Sequence, residues 1–180
     1  MTEIRTDADL AAAIVERVRS YAKGTRSERV SSEVSELVNK AVREFKRQSG
    51  ERVEVWVPQE QPVYIIVNPL EFELVIINLL RNAAQALQEL GVLNPKVALT
   101  IKREDNKALI AIEDNGHIEK EKIEKLSEPT NSTKADGLGL GLQIVRSIIE
   151  NHGGKIFFSQ AASGGLRVEI RLPAEETTEQ

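Results

Sequence analysis

Asn78 and Asn82 stand four residues apart in an otherwise apolar stretch, and Gln85 follows three residues later. On a helix that spacing puts the three amides on one face, so a polar row interrupts an apolar surface. Burying an amide without a partner costs about 1–3 kcal/mol, so the row must pair inside a core or line a wet cavity that holds a ligand. Two core asparagines bonded to nearby backbone satisfy the first case. In the second, an amide oxygen is a suitable hard ligand for magnesium. Asp114-Asn115-Gly116 follows directly on an alternating run. A carboxylate at a strand end can accept the exocyclic amine of adenine, and a neighbouring glycine lets backbone approach a flat base. The same tripeptide is ordinary turn chemistry. Gly137, Gly139 and Gly141 alternate with Leu138, Leu140 and Leu142 where a helical period begins. Free N–H groups at a helix N-terminus favour phosphate oxygens, and Lys134 just upstream adds positive charge. The spacing is neither that of a dinucleotide fold nor that of a P-loop, since no Gly-Lys-Ser/Thr follows; a flexible glycine hinge is the plainer reading.

The elements that must carry these groups are legible from hydrophobic period. Leu10, Ile14, Val15 and Val18 recur at three-to-four spacing behind the cap candidates Thr6 and Asp9, and stop near Gly24. Residues 25–32 read as a polar loop, and Val34 to Phe45 as a second amphipathic helix ending before Gly50. The period then changes to two at Val53, Val55 and Val57 and again at Val63 to Val67, predicting two short strands. Pro69 suits the first turn of a long helix through Leu90, closed by Gly91. Residues 97–103 and 108–114 alternate around a polar tip, a hairpin pattern; 115–136 is charged and irregular. A helix from about Leu140 to Asn151 leads to two closing strands, 154–159 and 166–172, around a turn at Ser163–Gly165. The acidic residues after Pro173 read as a loose tail. Strands interleaved with helices predict a mixed sheet covered by helices on one face.

Length and composition set bounds. With 180 residues, 41% hydrophobic and 29% charged, the chain suits one domain with a short appended helix. A net charge of −4 argues against a general nucleic-acid surface. There is no cysteine, and the two histidines make no metal cluster alone. No run approaches the ~18 apolar residues of a membrane span, so no membrane contact is expected of this piece.

In this order and at these separations, the segments resemble the GHKL ATPases, the superfamily of histidine kinases, DNA gyrase B, Hsp90 and MutL, and the histidine kinase branch in particular. Asn78 to Asn82 is similar to the N box, Asp114-Asn115-Gly116 to the G1 box, and Gly137 to Leu142 to the G2 box. Glu128-Pro129 with Thr133-Lys134 is similar to the F box and lid, and Asn151-His152-Gly153-Gly154 and Arg171-Leu172-Pro173 to that branch's closing segments. The resemblance implies a two-layer α/β (α+β) sandwich, with a mixed, mainly antiparallel sheet and helices on one face, preceded by an N-terminal helix. It implies ATP between the Asn-bearing helix and a lid at 115–138. Asn82 would ligate Mg2+, Asn78 would support that site, and Arg81 or Gln85 would approach phosphate. Asp114 would read adenine with Gly116 beside it. Thr133, Lys134 and the run Gly137, Leu138, Gly139, Leu140, Gly141 and Leu142 would hold phosphate.

By the same resemblance, 1–24 is the second helix of a dimerisation and phosphotransfer domain, 25–50 linker and first catalytic-domain helix, 51–173 the ATP-binding core, and 174–180 a flexible tail. The activity implied is transfer of the γ-phosphoryl of Mg-ATP to a histidine on a separate domain, in a cytoplasmic two-component system with a response regulator as partner; the parent protein can be membrane-anchored. The stripe Leu10–Val18 can pair with a second chain or fold back on the domain. His117 and His152 match no acceptor position; His117 is expected exposed, and His152 at a helix C-terminus that favours a cation. His117-Ile118 stands where the family has Pro-Gly, Ser127 and Thr130 replace phenylalanines beside Glu128-Pro129, and Leu166 replaces a threonine on the adenine side. These departures support an alternative, a degenerate nucleotide-binding or docking module. A hydrolytic ATPase of the gyrase type is disfavoured, since Asn78 stands where those use a glutamate base.

Overall fold

The computed structural model describes residues 28–49, 52–58, 61–128 and 139–176. The expected helix at 1–24 lies outside them. Chain order is β1 (Val30–Glu33), α1 (Val34–Ser49), β2 (Glu54–Trp56), β3 (Tyr64–Val67), α2 (Pro69–Glu89), β4 (Lys96–Glu104), β5 (Lys107–Asp114), α3 (Lys120–Ser127), α4 (Gly139–Asn151), β6 (Lys155–Gln160) and β7 (Leu166–Pro173).

Five strands form one sheet in the order β2-β4-β5-β7-β6. Only β2 and β4 run parallel; the other pairs are antiparallel. The sheet is thus mixed and mainly antiparallel, as expected. On α1, Val34, Leu37, Val38, Ala41, Val42 and Phe45 are all buried, the face that its period marked. They meet Phe72, Val75, Ile76, Leu79 and Leu80 of α2, Val145, Ile148 and Ile149 of α4, and the inward residues Leu99, Ile110, Ile112 and Ile170 of the sheet. On the other face of β5, Leu109 and Ala111 are buried too. They pair in register with Arg171 and Glu169; the Glu169 carboxylate forms ion pairs with both Arg171 and Arg167.

Helix α2 starts where Asn68 Oδ1 accepts from Glu71 N at 2.9 Å, with Pro69 in the first turn. It stops at Leu90, before Gly91 at φ 63°. The hairpin between β4 and β5 turns at Asp105, φ 52°. Helix α4 ends in a Schellman-type cap, with Gly153 at φ 73° and Gly154 N donating to Ile149 O at 2.9 Å.

The structure departs from the sequence expectations in four places. Residues 30–33 are a strand, not loop, antiparallel to β3 with Val30 opposite Val67. The segment Val-Ser-Ser-Glu has no alternating pattern; the pairing with β3 makes it a strand. Part of the segment expected to be irregular is helix α3, whose apolar residues Ile123 and Leu126 are too few to reveal a period. Ala174 and Glu175 are not loose: Ala174 bridges Ile65, Glu175 N donates to Tyr64 O at 2.8 Å, and Arg103 Nη1 donates to Glu175 O at 2.7 Å.

The fourth departure concerns what His152 does: it follows the end of α4 as expected, but its ring links two helices. Its ring is buried, with Nδ1 2.8 Å from Ile148 O and Nε2 accepting from Asn68 N at 3.1 Å. The ring joins the end of α4 to the start of α2. His152→Leu should therefore leave Asn68 N–H and Ile148 O without their side-chain partner, costing roughly 1–3 kcal/mol, measurable as a lower melting temperature.

Candidate active site

The phosphate-side candidates sit where α2 faces α4. Asn78 is buried; its Nδ2 donates back to Leu74 O at 2.9 Å, and its Oδ1 faces α4, since a Cβ on Gly141 would lie 3.5 Å from it. Asn82, one turn further, is half-buried, and among the described residues no hydrogen bond engages its amide. Asn78, the first residue of the polar row, thus meets the glycine-bearing start of α4. Arg81 and Gln85 are engaged elsewhere: Arg81 Nη2 donates to Gln48 on α1, and exposed Gln85 donates to Glu89 at 2.8 Å. Thr133, Lys134, Gly137 and Leu138 lie outside the described residues. Gly139 and Leu140 open α4, and Gly141 and Leu142 follow, half-buried.

The base-side candidates gather at the other end of α2. Asp114 closes β5 and is buried at 6% exposure. Its Oδ1 accepts from Gly116 N at 2.9 Å and its Oδ2 from Leu166 N at 3.3 Å. Burial raises its pKa above the ordinary carboxylate range, and the two backbone donors only partly offset this. Gly116 approaches α2 so closely that a Cβ there would lie 3.1 Å from Leu90 and 3.3 Å from Leu87. From Asn78 to Leu87 the helix rises about 14 Å.

Asp114 is fixed by the turn at Ser163–Gly165, which the sequence marked as a strand connection but not as a contact of the site. Ser163 Oγ donates to Asp114 O at 2.9 Å, and Gly165 lies so close that a Cβ would stand 2.2 Å from that oxygen and 2.3 Å from Asp114 Oδ1. Leu166, read as a loss on the adenine side, contributes its backbone N–H to Asp114. Asn115 clamps the strand end, its Oδ1 accepting from Lys96 N at 2.7 Å and its Nδ2 donating to Asn94 O at 2.9 Å. His117 is exposed, as expected.

No ligand or metal accompanies the chain, so the fit to magnesium rests on donor chemistry. Among the described residues no group of three or more acid, histidine or cysteine side chains could hold a metal. A half-buried amide oxygen at Asn82, one turn beyond Asn78, fits a cation that arrives with its phosphates.

A family model described as histidine kinase-, DNA gyrase B-, and HSP90-like ATPase matches residues 67–176. The sensor protein TdiS of Thauera aromatica is 32% identical over 177 residues, covering 93% of this chain and 32% of its own length. Sporulation kinase B of Bacillus subtilis is 34% identical over 125 residues, covering 68% of this chain and 28% of its own length. The chain thus spans about a third or less of these curated relatives. Among solved structures, the nucleotide-free catalytic domain of histidine kinase ThkA superposes with a TM-score of 0.67 at 27% identity, over 81% of this chain and 95% of that one. The mycobacterial sensor histidine kinase MprB, at 22% identity and a TM-score of 0.66, shares the fold. The matched span runs from the end of β3 to the residues after β7 and holds both ends of the site, so the chain belongs to the family of histidine kinase-, DNA gyrase B- and HSP90-like ATPases.

Proposed function

We propose that the chain is the ATP-binding catalytic part of a sensor histidine kinase, transferring the γ-phosphoryl group of Mg-ATP to a histidine on a separate domain. The observation that carries this reading is the layout along α2: a buried carboxylate suited to adenine at one end and, at the other, the Asn78 amide facing the glycine-bearing start of α4, with Asn82 half-buried one turn along. Asp114 accepts the adenine amine, and Gly116 admits the base. Asn82 would hold a magnesium ion, which would supply positive charge to neutralise the phosphates. Asn78 buttresses Asn82, and backbone N–H groups of Gly139 and Gly141 hold phosphate oxygens.

Transfer rather than hydrolysis follows from Asn78. Its amide accepts no proton at neutral pH, and its Nδ2 is committed to Leu74 O. No side chain in the row can activate water, so the nucleophile must come from outside. Catalysis is then positioning and charge neutralisation. In this reading residues 1–24 are the end of a phosphotransfer domain that pairs helices with a second copy, 115–138 a lid, and a cytoplasmic response regulator the downstream partner. Among the described residues no helix is long and apolar enough to cross a membrane.

Titration with an ATP analogue by calorimetry tests the reading. Micromolar to low-millimolar binding is expected, and Asn82→Ala or chelation of magnesium should weaken it roughly 10–100-fold. The degenerate-module reading draws on Ser127, which stands where the family has an aromatic and bonds only within α3, to Ile123 O at 2.9 Å. No binding at millimolar nucleotide, with the fold intact, would put that reading in place of the kinase one.

A further inference from the structure

Arg146 has no part in the site described above, yet it is engaged on two sides. It projects from α4, its Nη2 donates to Leu126 O in the last turn of α3, and its guanidinium carbon lies 5.0 Å from the centre of the Phe158 ring on β6. The side chain is half-buried, with Glu150 one turn along supplying a compensating charge.

Helix α3 cannot hold its place alone. It has eight residues, none of them buried, and no side-chain hydrogen bond caps its start. Helices this short are marginal in water, and their last carbonyls are unpaired and partly negative. Ser127, where an aromatic anchor is expected, bonds inward to α3 itself. The approach to α3 is tied down: Ile118 N donates to Gly164 O at 3.1 Å, and Gln160 Nε2 donates to Ile118 O at 3.2 Å. Arg146 is the tie at the opposite end. It brings a cation and a donor from another helix to the terminus that favours both.

We propose that Arg146 is a positioning residue for the nucleotide site, capping the C-terminus of α3 from α4 and docking α3 against β6. This rests on the reading of the site as one for adenine nucleotides. Helix α3 follows Gly116 and Ile118 by a few residues, so its docking holds the backbone that flanks Asp114.

Two variants test it: Arg146→Met, which keeps the apolar stem without donor or charge, and Arg146→Lys, which restores both in part. The readouts are hydrogen exchange of the α3 amides of Lys122 and Ile123, both bonded to Glu119 O, and ADP affinity by calorimetry. In Arg146→Met, α3 exchange should quicken about tenfold or more and ADP affinity fall about tenfold, with β5 amides protected as before. Arg146→Lys should recover part of both. Unchanged α3 exchange in Arg146→Met overturns the cap, whatever the nucleotide does. Faster α3 exchange with undiminished ADP affinity overturns the positioning role, as does loss of protection throughout β5, which would mark general destabilisation. Absence of ADP binding to the unsubstituted chain defeats the nucleotide reading itself, and the positioning role with it.

Discussion

Asp114→Ala is expected to lower ADP affinity roughly 100-fold, about 2.8 kcal/mol, in calorimetric titration. The loss is large because the carboxylate is buried and already held by two backbone donors, so it presents its remaining lone pairs to the base without reorganising. Alanine would leave the adenine amine, Gly116 N–H and Leu166 N–H facing a dry gap. A loss below threefold would remove Asp114 from the base-binding role. The carboxylate also predicts a pH dependence. Its folded-state pKa lies above the ordinary value, so its contribution to stability is greatest at low pH and declines as pH rises through the folded pKa. Ionised Asp114 therefore costs the nucleotide-free fold stability at neutral pH. A bound adenine amine favours the ionised form. ADP affinity should weaken as pH falls from neutral into the window above the ordinary carboxylate pKa, and in Asp114→Ala this part of the pH dependence should vanish.

Gly165→Ala is the second large effect. The added methyl would meet the main-chain oxygen and carbonyl carbon of Asp114 at 2.2 and 2.8 Å, as well as its Oδ1 at 2.3 Å. Backbone cannot swing aside as a flexible side chain can, so β5 and the β6–β7 turn must separate. Overpacking of this kind costs about 1–3 kcal/mol or more, which for a domain of this size lowers the melting temperature by roughly 3–12 °C. Nucleotide binding should fall with it, because the same shift displaces the carboxylate. Gly91 is the control: its φ is 63° and nothing lies within 4 Å of an added Cβ, so Gly91→Asn should be tolerated. Equal melting temperatures for Gly165→Ala and the unsubstituted chain would mean that the turn does not set Asp114.

The contrast between these two predictions shows what the sequence could reveal. Asp114 was legible because a strand pattern ended on it and a glycine followed. The polar row at Asn78 and Asn82 was legible because a helical period surrounded it. The bounds of α2 were written locally, in Pro69 and Gly91. Gly165 offered no such signal: its need for an absent side chain arises from a strand some fifty residues earlier, a contact that local spacing does not encode. Arg81 shows the limit of spacing from the other side. It shares the helix with the asparagines, but its long side chain reaches Gln48 on α1, which helical spacing alone could not foresee. Helix α3 and strand β1 escaped notice because both are held by neighbours, Arg146 in one case and β3 in the other, rather than by any period of their own.

Ser31 donates to Glu175, and β3 is bonded on one edge to β1 and on the other to Ala174 and Glu175, so both ends of the described chain leave from a single corner. A pull or twist arriving through Glu28 is borne there, by β-ladder bonds loaded in shear and by Arg29 Nη2, which donates to Asn151 O at 2.5 Å. The Asp114 end of α2 lies about 28 Å of helix rise away from that corner, so a load entering through Glu28 would meet these bonds well before it reached the candidate site.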